Sequence, residues 1–316
     1  MYFANDRRTG LEGWLCFPDR APPRIGNSLL CPSGGGCPFV RIRRPYDGGM
    51  SHPTFLTVAY AGGGFHGWQI QTLLRSGQGE LWKALVALDP AAPMPQGTGR
   101  TDAGVHARAQ GVLVHLSRPW EPYRLLAALN AHLPWDLRVM AVQPAPEGFF
   151  PRHHAIAKRY VYRLGVGPAK DPLLNGLRWH VHGAEPLDVA AMAQAGQGLL
   201  GTHDFSSFRC AECGAKTPVR TLHAFRVEPT RGGLDLVFEG DRFLMHQVRI
   251  MTGTLVDVGR GRRAAAALPA ILAACDRAAA GPTAPPEGLC LDKVWYEARW
   301  GVGEPSPFGE RPDQSR

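Results

Sequence analysis

Gly97-Thr98-Gly99-Arg100-Thr101-Asp102-Ala103-Gly104-Val105-His106 is the densest polar stretch of the chain, and the rest of the sequence is best read outward from it. As a dinucleotide-binding turn it fails: Asp102 stands where a third glycine is needed, and a carboxylate there would repel a pyrophosphate. It also lacks the Gly-Lys-Ser/Thr of a triphosphate loop. What is left is a glycine-flexed loop before a strand, since Gln110 to Leu116 reads as strand by alternation. The loop presents one arginine, one aspartate and one histidine. From spacing alone the simpler reading is a turn in which Asp102 bonds its own backbone. The other is a site built on those three side chains.

Upstream, Tyr60-Ala61-Gly62-Gly63-Gly64-Phe65-His66-Gly67-Trp68-Gln69-Ile70-Gln71 mixes glycines with aromatics and amides. Aromatics among amide and basic groups suit stacking on bases and contact with phosphate or sugar. The plainer reading is a hairpin whose Phe65 and Trp68 cap the core. Downstream, Arg152, His153, His154, Lys158, Arg159 and Arg163 form a basic run through the strand Tyr160-Val161-Tyr162, in which alternation puts both tyrosines on one face. Phe243 to Val258 has helical spacing. There Ile250, Thr254 and Val258 continue an apolar stripe from Phe243, and His246, Arg249 and Gly253 share another. An arginine beside a glycine on one helix face is either a surface arginine or a guanidinium facing a cleft. Cys210 and Cys213 form a lone C-x-x-C; pairing them with Cys31 and Cys37 as a zinc site is a weak reading, and ordinary thiols are expected.

Composition frames these clusters. The chain has 316 residues, 44% hydrophobic and 20% charged, with 38 Gly and 28 Pro that follow no period. That is a globular chain with a core, not a disordered or collagen-like one. Its net charge is +8, which favours polyanionic partners, nucleic acid before membrane. The longest apolar run, Ala264 to Cys275, contains Pro269 and falls well short of the roughly 20 residues a membrane span needs. Without a signal-like apolar run near the N-terminus or a disulfide framework among seven cysteines, a reducing cytoplasm is expected.

Residues 1–49 read differently: Pro22-Pro23, Gly34-Gly35-Gly36 and the cluster Arg41, Arg43, Arg44 show no periodicity. They are expected to be a disordered extension, or to precede a true start at Met50. They hold seven Lys+Arg and four Asp+Glu, so the body keeps a charge of +5. From Phe55 onward helical and strand-like segments mix without a clean βαβ alternation, which predicts an α+β fold. Strands are expected at 55–60, 110–116, 138–142, 158–166, 219–228, 234–239 and 289–297. Helices are expected at 80–88, 123–133, 187–200, 243–258 and 264–280, and 144–151 reads as a Pro-rich linker.

Taken together, the clusters resemble the TruA-type tRNA pseudouridine synthases across residues 54–297. The matches run in the family's order. They are G-W-Q-x-Q at Gly67–Gln71, G-R-T-D-A-G-V-H at Gly99–His106, F-x-x-R at Phe149–Arg152 and K-R-Y-x-Y at Lys158–Tyr162. Then come G-x-H-D-F-S-S-F-R at Gly201–Arg209, T-P-V-R at Thr217–Arg220, F-x-x-H-x-V-R at Phe243–Arg249 and E-G-L at Glu287–Leu289. Two places depart from the family: Ala61 and three glycines follow Tyr60, and His153-His154 follow Arg152. These touch RNA contacts and leave the aspartate string intact.

The resemblance overturns the turn reading. It implies the pseudouridine synthase fold: two α/β subdomains, at 50–145 with the aspartate loop and at 146–300, a mixed, largely antiparallel sheet, a central basic cleft, and a flexible tail at 301–316. It implies an isomerase that turns uridine into pseudouridine at positions 38, 39 and 40 of the tRNA anticodon stem-loop, acting as a cytoplasmic homodimer. Asp102 is then the nucleophile, Arg249 its ion partner, and Tyr160 stacks on the uracil. Arg100 fills the space of the flipped base and Leu289 closes the pocket floor. Gln69, His106 and Arg152 join the substrate contacts. The chemistry calls for neither cofactor nor metal. Three rivals stand beside this reading: a non-catalytic RNA binder on the same scaffold, a metal-dependent hydrolase using Asp102 and His106, and a pseudouridine synthase with shifted targets.

Overall fold

The computed structural model describes residues 51–183 and 186–309, and ahead of them the backbone of two short strands, Trp14–Cys16 and Phe39–Arg41, paired antiparallel. The expectations for the rest of residues 1–49 lie outside the described residues. In chain order the main elements are β1 (His52–Tyr60), α1 (Gly77–Leu88), β2 (His106–Leu116), α2 (Pro122–His132), β3 (Leu137–Pro144) and β4 (Ala155–Gly165). They continue with α3 (Val189–Gln197), β5 (Gly201–Asp204), β6 (Val219–Thr230), β7 (Gly233–Gly240), α4 (Gln247–Gly259), α5 (Leu268–Ala274) and β8 (Leu289–Tyr296). The eight strands run β3-β1-β2-β8-β4-β7-β6-β5 through one 11-stranded sheet.

Local chemistry sets the helix ends. Ser76 caps α1 by accepting from the Gly79 amide, and the Glu121 carboxylate takes the Tyr123 and Arg124 amides at the start of α2, with Pro122 in its first turn. Arg231-Gly232 closes the β6–β7 hairpin, where φ of +71° at Gly232 requires a residue without a Cβ. Leu56, Val58, Leu81, Leu85, Val112, Leu129 and Leu137 pack beneath β1, β2 and β3. Leu236, Phe238, Ile250, Met251 and Leu255 pack between β7 and α4.

The sheet is antiparallel along this order except at its centre. There β8, last in sequence, inserts between β2 and β4 and runs parallel to β2, with Cys290 beside His106 and Leu291 beside Ala107. Both parallel strands therefore start at the same edge. The aspartate loop enters β2 there, and Leu289 opens β8 there.

Three expectations need correction. The helix expected at 243–258 begins only at Gln247. Phe243 to His246 form a turn in which Gln247 N donates to Leu244 O and Leu244 N donates to the Gln247 side chain, and His246 is left-handed at φ +62°. The helix expected at 264–280 is broken into a 3₁₀ turn at Ala265–Ala267, the short α5, a left-handed Cys275 at φ +47° and a second 3₁₀ turn at Arg277–Ala279. Its alanines favour helix, but Ser207 holds both the Ile271 carbonyl and the Asp276 amide and fixes the turn there. Finally, residues 301–309, expected as flexible tail, lie on the sheet. Glu304–Pro305 pairs parallel with β8, and Phe308 stacks on His223 with ring centroids 4.7 Å apart.

Candidate active site

The loop of residues 97–106 is fastened from both sides by groups that sequence spacing does not reveal. The Tyr60 hydroxyl pairs with Thr101 Oγ1 at 2.8 Å, and the Trp68 amide donates to Thr101 O at 3.2 Å. Gln110 Nε2 donates to Gly99 O at 2.6 Å, and the Gly104 amide donates to Phe65 O at 3.1 Å. Gly67 and Gly104 sit at φ +88° and +80°, and a Cβ on Gly67 would come within 2.5 Å of the Thr101 carbonyl. The glycine-rich stretch 60–71 is thus a brace. Phe65 and Trp68 are buried against Tyr60 and do not present their faces to a ligand.

With its backbone held, the loop projects the Asp102 carboxylate, which stays 23% exposed, towards the first turn of α4. Arg249 Nη1 donates to Asp102 Oδ2 at 3.2 Å, and Arg249 Nε donates to Ala284 O at 2.8 Å. The Ala284 amide returns a bond to Arg249 O at 3.1 Å. The guanidinium is only 13% exposed, so its fork is fixed in direction before any substrate arrives. Gly253, one turn on, explains how the 281–284 segment reaches the helix: a Cβ there would overlap the Pro282 carbonyl. The arginine–glycine stripe therefore faces a closely approaching backbone as well as a carboxylate. The N-terminal end of a helix also favours an anion at this point.

Tyr160, on β4 between Phe238 and Leu291 of the neighbouring strands, is 9% exposed and meets Phe243 edge-on at 5.1 Å. Burial, and next the charge of Asp102, push its hydroxyl far above the ordinary tyrosine range, so the phenol stays neutral. Leu289 is buried at the head of β8, across from Tyr162, whose hydroxyl donates to Pro285 O at 2.7 Å. The structure thus gathers Asp102 and Arg249 in direct contact, with Tyr160 near enough to feel the carboxylate. Arg100, Gln69 and Arg152 are exposed. His154, beside Arg152, stacks on Trp300 at 4.0 Å and accepts the Phe150 amide, which makes it a packing residue.

A family model described as tRNA pseudouridine synthase matches residues 195–297. A tRNA pseudouridine synthase A of Myxococcus xanthus is 43% identical over 242 residues, 76% of this chain and 91% of the relative. One of Beijerinckia indica is 44% identical over 254 residues, 80% of this chain and 97% of the relative. The chain belongs to the tRNA pseudouridine synthase A family. A "tRNA pseudouridine synthase A 1" of Protochlamydia amoebophila, 41% identical over 77% of this chain and 95% of its own length, lies at a similar distance.

Within this family frame, His106 takes a different place from the one expected. It is buried, its Nδ1 accepts the Gly62 amide at 3.0 Å, and its Nε2 lies 3.1 Å from Glu287 O. With both ring nitrogens engaged by backbone, it ties the glycine loop to the head of β8 and is a brace, not a substrate contact. Nor can it share a metal with Asp102; among the described residues no group of three or more His, Cys, Asp or Glu is placed to hold one. Burial drives the His106 pKa below the ordinary 6.5 despite the favourable Glu287 carbonyl. The folded protein therefore binds this proton less readily than the unfolded chain. Stability from this residue is present above about pH 6.5 and is lost as pH falls from there through the lowered folded pKa. The expected result is that His106→Gln flattens the fall of Tm as pH drops below about 6.5; an unchanged slope would count against it.

His246 was missed as a site residue. The motif around it was legible, but only the turn before α4 brings its ring to Asp102, with Nε2 3.5 Å from Oδ2.

Proposed function

We propose that this protein isomerises uridine to pseudouridine in tRNA, at positions 38, 39 and 40 of the anticodon stem-loop, with Asp102 as the nucleophile. The observation that carries the reading is the Asp102–Arg249 pair, in which an arginine fixed by the Ala284 carbonyl holds a carboxylate in the open beside a buried, neutral tyrosine. A fixed guanidinium beside a carboxylate orients it for attack. In this reading Asp102 takes C1′ as N1–C1′ breaks, and the electron pair passes to the uracil ring. The ring turns, and C5 then forms the bond to C1′ and releases the carboxylate. The C5 proton is lost and N1 gains one, so atoms and charge balance with no redox partner. Tyr160 stacks on the ring and Leu289 closes the floor. Arg100 occupies the space of the extruded base, whose release costs a few kcal/mol. Gln69 and Arg152 meet the RNA outside the pocket.

The family supports a cytoplasmic homodimer that holds tRNA across both subunits. Within the two departures from the family, the exposed Gly63, Gly64 and His153 are the places where targets shift if this enzyme acts at other RNA positions. A pure RNA binder has no use for the fixed Asp102–Arg249 pair. Mapping pseudouridine in tRNA from cells with and without the gene, and in the same tRNA after incubation with the protein, tests the activity. Loss at 38–40 is the expected result, and unaltered tRNA refutes it. A net charge of +8 also points to phosphate-dominated binding. Affinity for tRNA should fall on the order of 10³-fold between about 50 and 200 mM salt; a flat titration would contradict this mode of binding.

A further inference from the structure

We propose that His246 is a positioning residue for Asp102: with Arg249 it occupies Oδ2 and leaves Oδ1 as the oxygen that reacts. This rests on the reading of Asp102 as the nucleophile. Arg249 Nη1 at 3.2 Å and His246 Nε2 at 3.5 Å both approach Oδ2, and among the described residues no group engages Oδ1. A carboxylate free to spin would present either oxygen. One donor and one close imidazole edge on the same oxygen restrict rotation of the group and leave the other oxygen unengaged. Orientation of that kind is where much of a catalytic advantage lies.

The backbone of His246 says the same. Its φ of +62° and ψ of 1° place a non-glycine residue in the left-handed region, where glycine and asparagine are at home and a histidine is less so. The conformation is imposed by its neighbours: Leu244 and Gln247 bond reciprocally across it, and the Cys210 amide donates to Met245 O at 3.3 Å. Glycine would satisfy that geometry without strain. Nor does the ring cap the helix, since the His246 side chain makes no capping bond to α4. The imidazole is only 29% exposed, and among the described residues the carboxylate it approaches is that of Asp102. At 3.5 Å the contact is longer than a formed hydrogen bond, and such contacts tighten when substrate arrives.

The test measures single-turnover pseudouridine formation, tRNA affinity and Tm for the wild type, Asp102→Asn, His246→Gly and His246→Gln. His246→Gly keeps the backbone and deletes the ring. Its rate constant should fall on the order of 10²-fold while affinity stays within about twofold and Tm does not drop. His246→Gln restores an N–H at similar reach and should recover part of that rate. A His246→Gly protein at wild-type rate, or one whose rate falls only as far as its tRNA affinity or Tm does, overturns the proposal. Should the wild type make no pseudouridine, or Asp102→Asn keep its rate, the Asp102 reading fails instead, so the two failures are distinguishable.

Discussion

Asp102→Asn should give a folded protein that binds tRNA at wild-type strength and forms pseudouridine at least ~10³-fold more slowly. The substitution removes one charge and almost no volume. The loop does not depend on that carboxylate for its shape: Thr101, Gly99 and Gly104 are held through Tyr60, Trp68, Gln110 and Phe65, and none of those bonds involves the Asp102 side chain. Arg249 keeps the Ala284 carbonyl as an acceptor, so it is not stranded. On the proposed reading binding is carried by cations facing phosphates, so removal of an anion is not expected to weaken it. What disappears, on that same reading, is the oxygen nucleophile, for which an amide is no substitute. Tm, tRNA affinity and single-turnover rate together check this. A variant that isomerises uridine within tenfold of wild type would remove Asp102 from the chemistry, and one that fails to bind RNA would make it a structural residue.

The parts of this arrangement that could be read from sequence are those in which function and local structure coincide. Gly99 to His106 announces a turn through its glycines, and Asp102 is expected as a site residue only through the family resemblance. Residues 110–116 and 234–239 do form strands, but almost every residue of both is buried, so the sheet is covered on both faces there and the alternation located strands without marking a solvent face. The long-range partners were not legible. No spacing rule connects Thr101 to Tyr60, or Arg249 to the carbonyl of Ala284, 35 residues away. The same limit hid His106: its type and place suggested a substrate contact, and only the parallel meeting of β2 with β8 puts Glu287 O against its ring. His246 was hidden for the opposite reason. Periodicity carried the helix back to Phe243, whereas the buried Gln247 stops it by bonding Leu244, and the resulting turn brings the imidazole to the carboxylate. In 264–280, helix propensity was a correct local signal that the Ser207 hydroxyl overrode.

Arg249 should be nearly as sensitive as Asp102, but in two separable ways. Arg249→Lys keeps the charge and loses the fork: one ammonium cannot reach both Asp102 Oδ2 and Ala284 O along the directions that Nη1 and Nε use. A rate loss of about 10²–10³-fold is expected, the scale seen when one preorganised electrostatic contact is removed from a site. Arg249→Met keeps the buried stem and deletes both donors. It should lose at least as much rate and also lower stability by roughly 1–3 kcal/mol, because the Ala284 carbonyl loses its side-chain donor. The decisive comparison is the double variant. If Arg249 acts by holding Asp102, then Asp102→Asn combined with Arg249→Lys should be scarcely slower than Asp102→Asn alone, since the group being held no longer reacts. Rate losses that multiply instead would mean that Arg249 contacts the RNA or the departing uracil on its own account. The fixed guanidinium would then have to be counted among the groups that touch substrate.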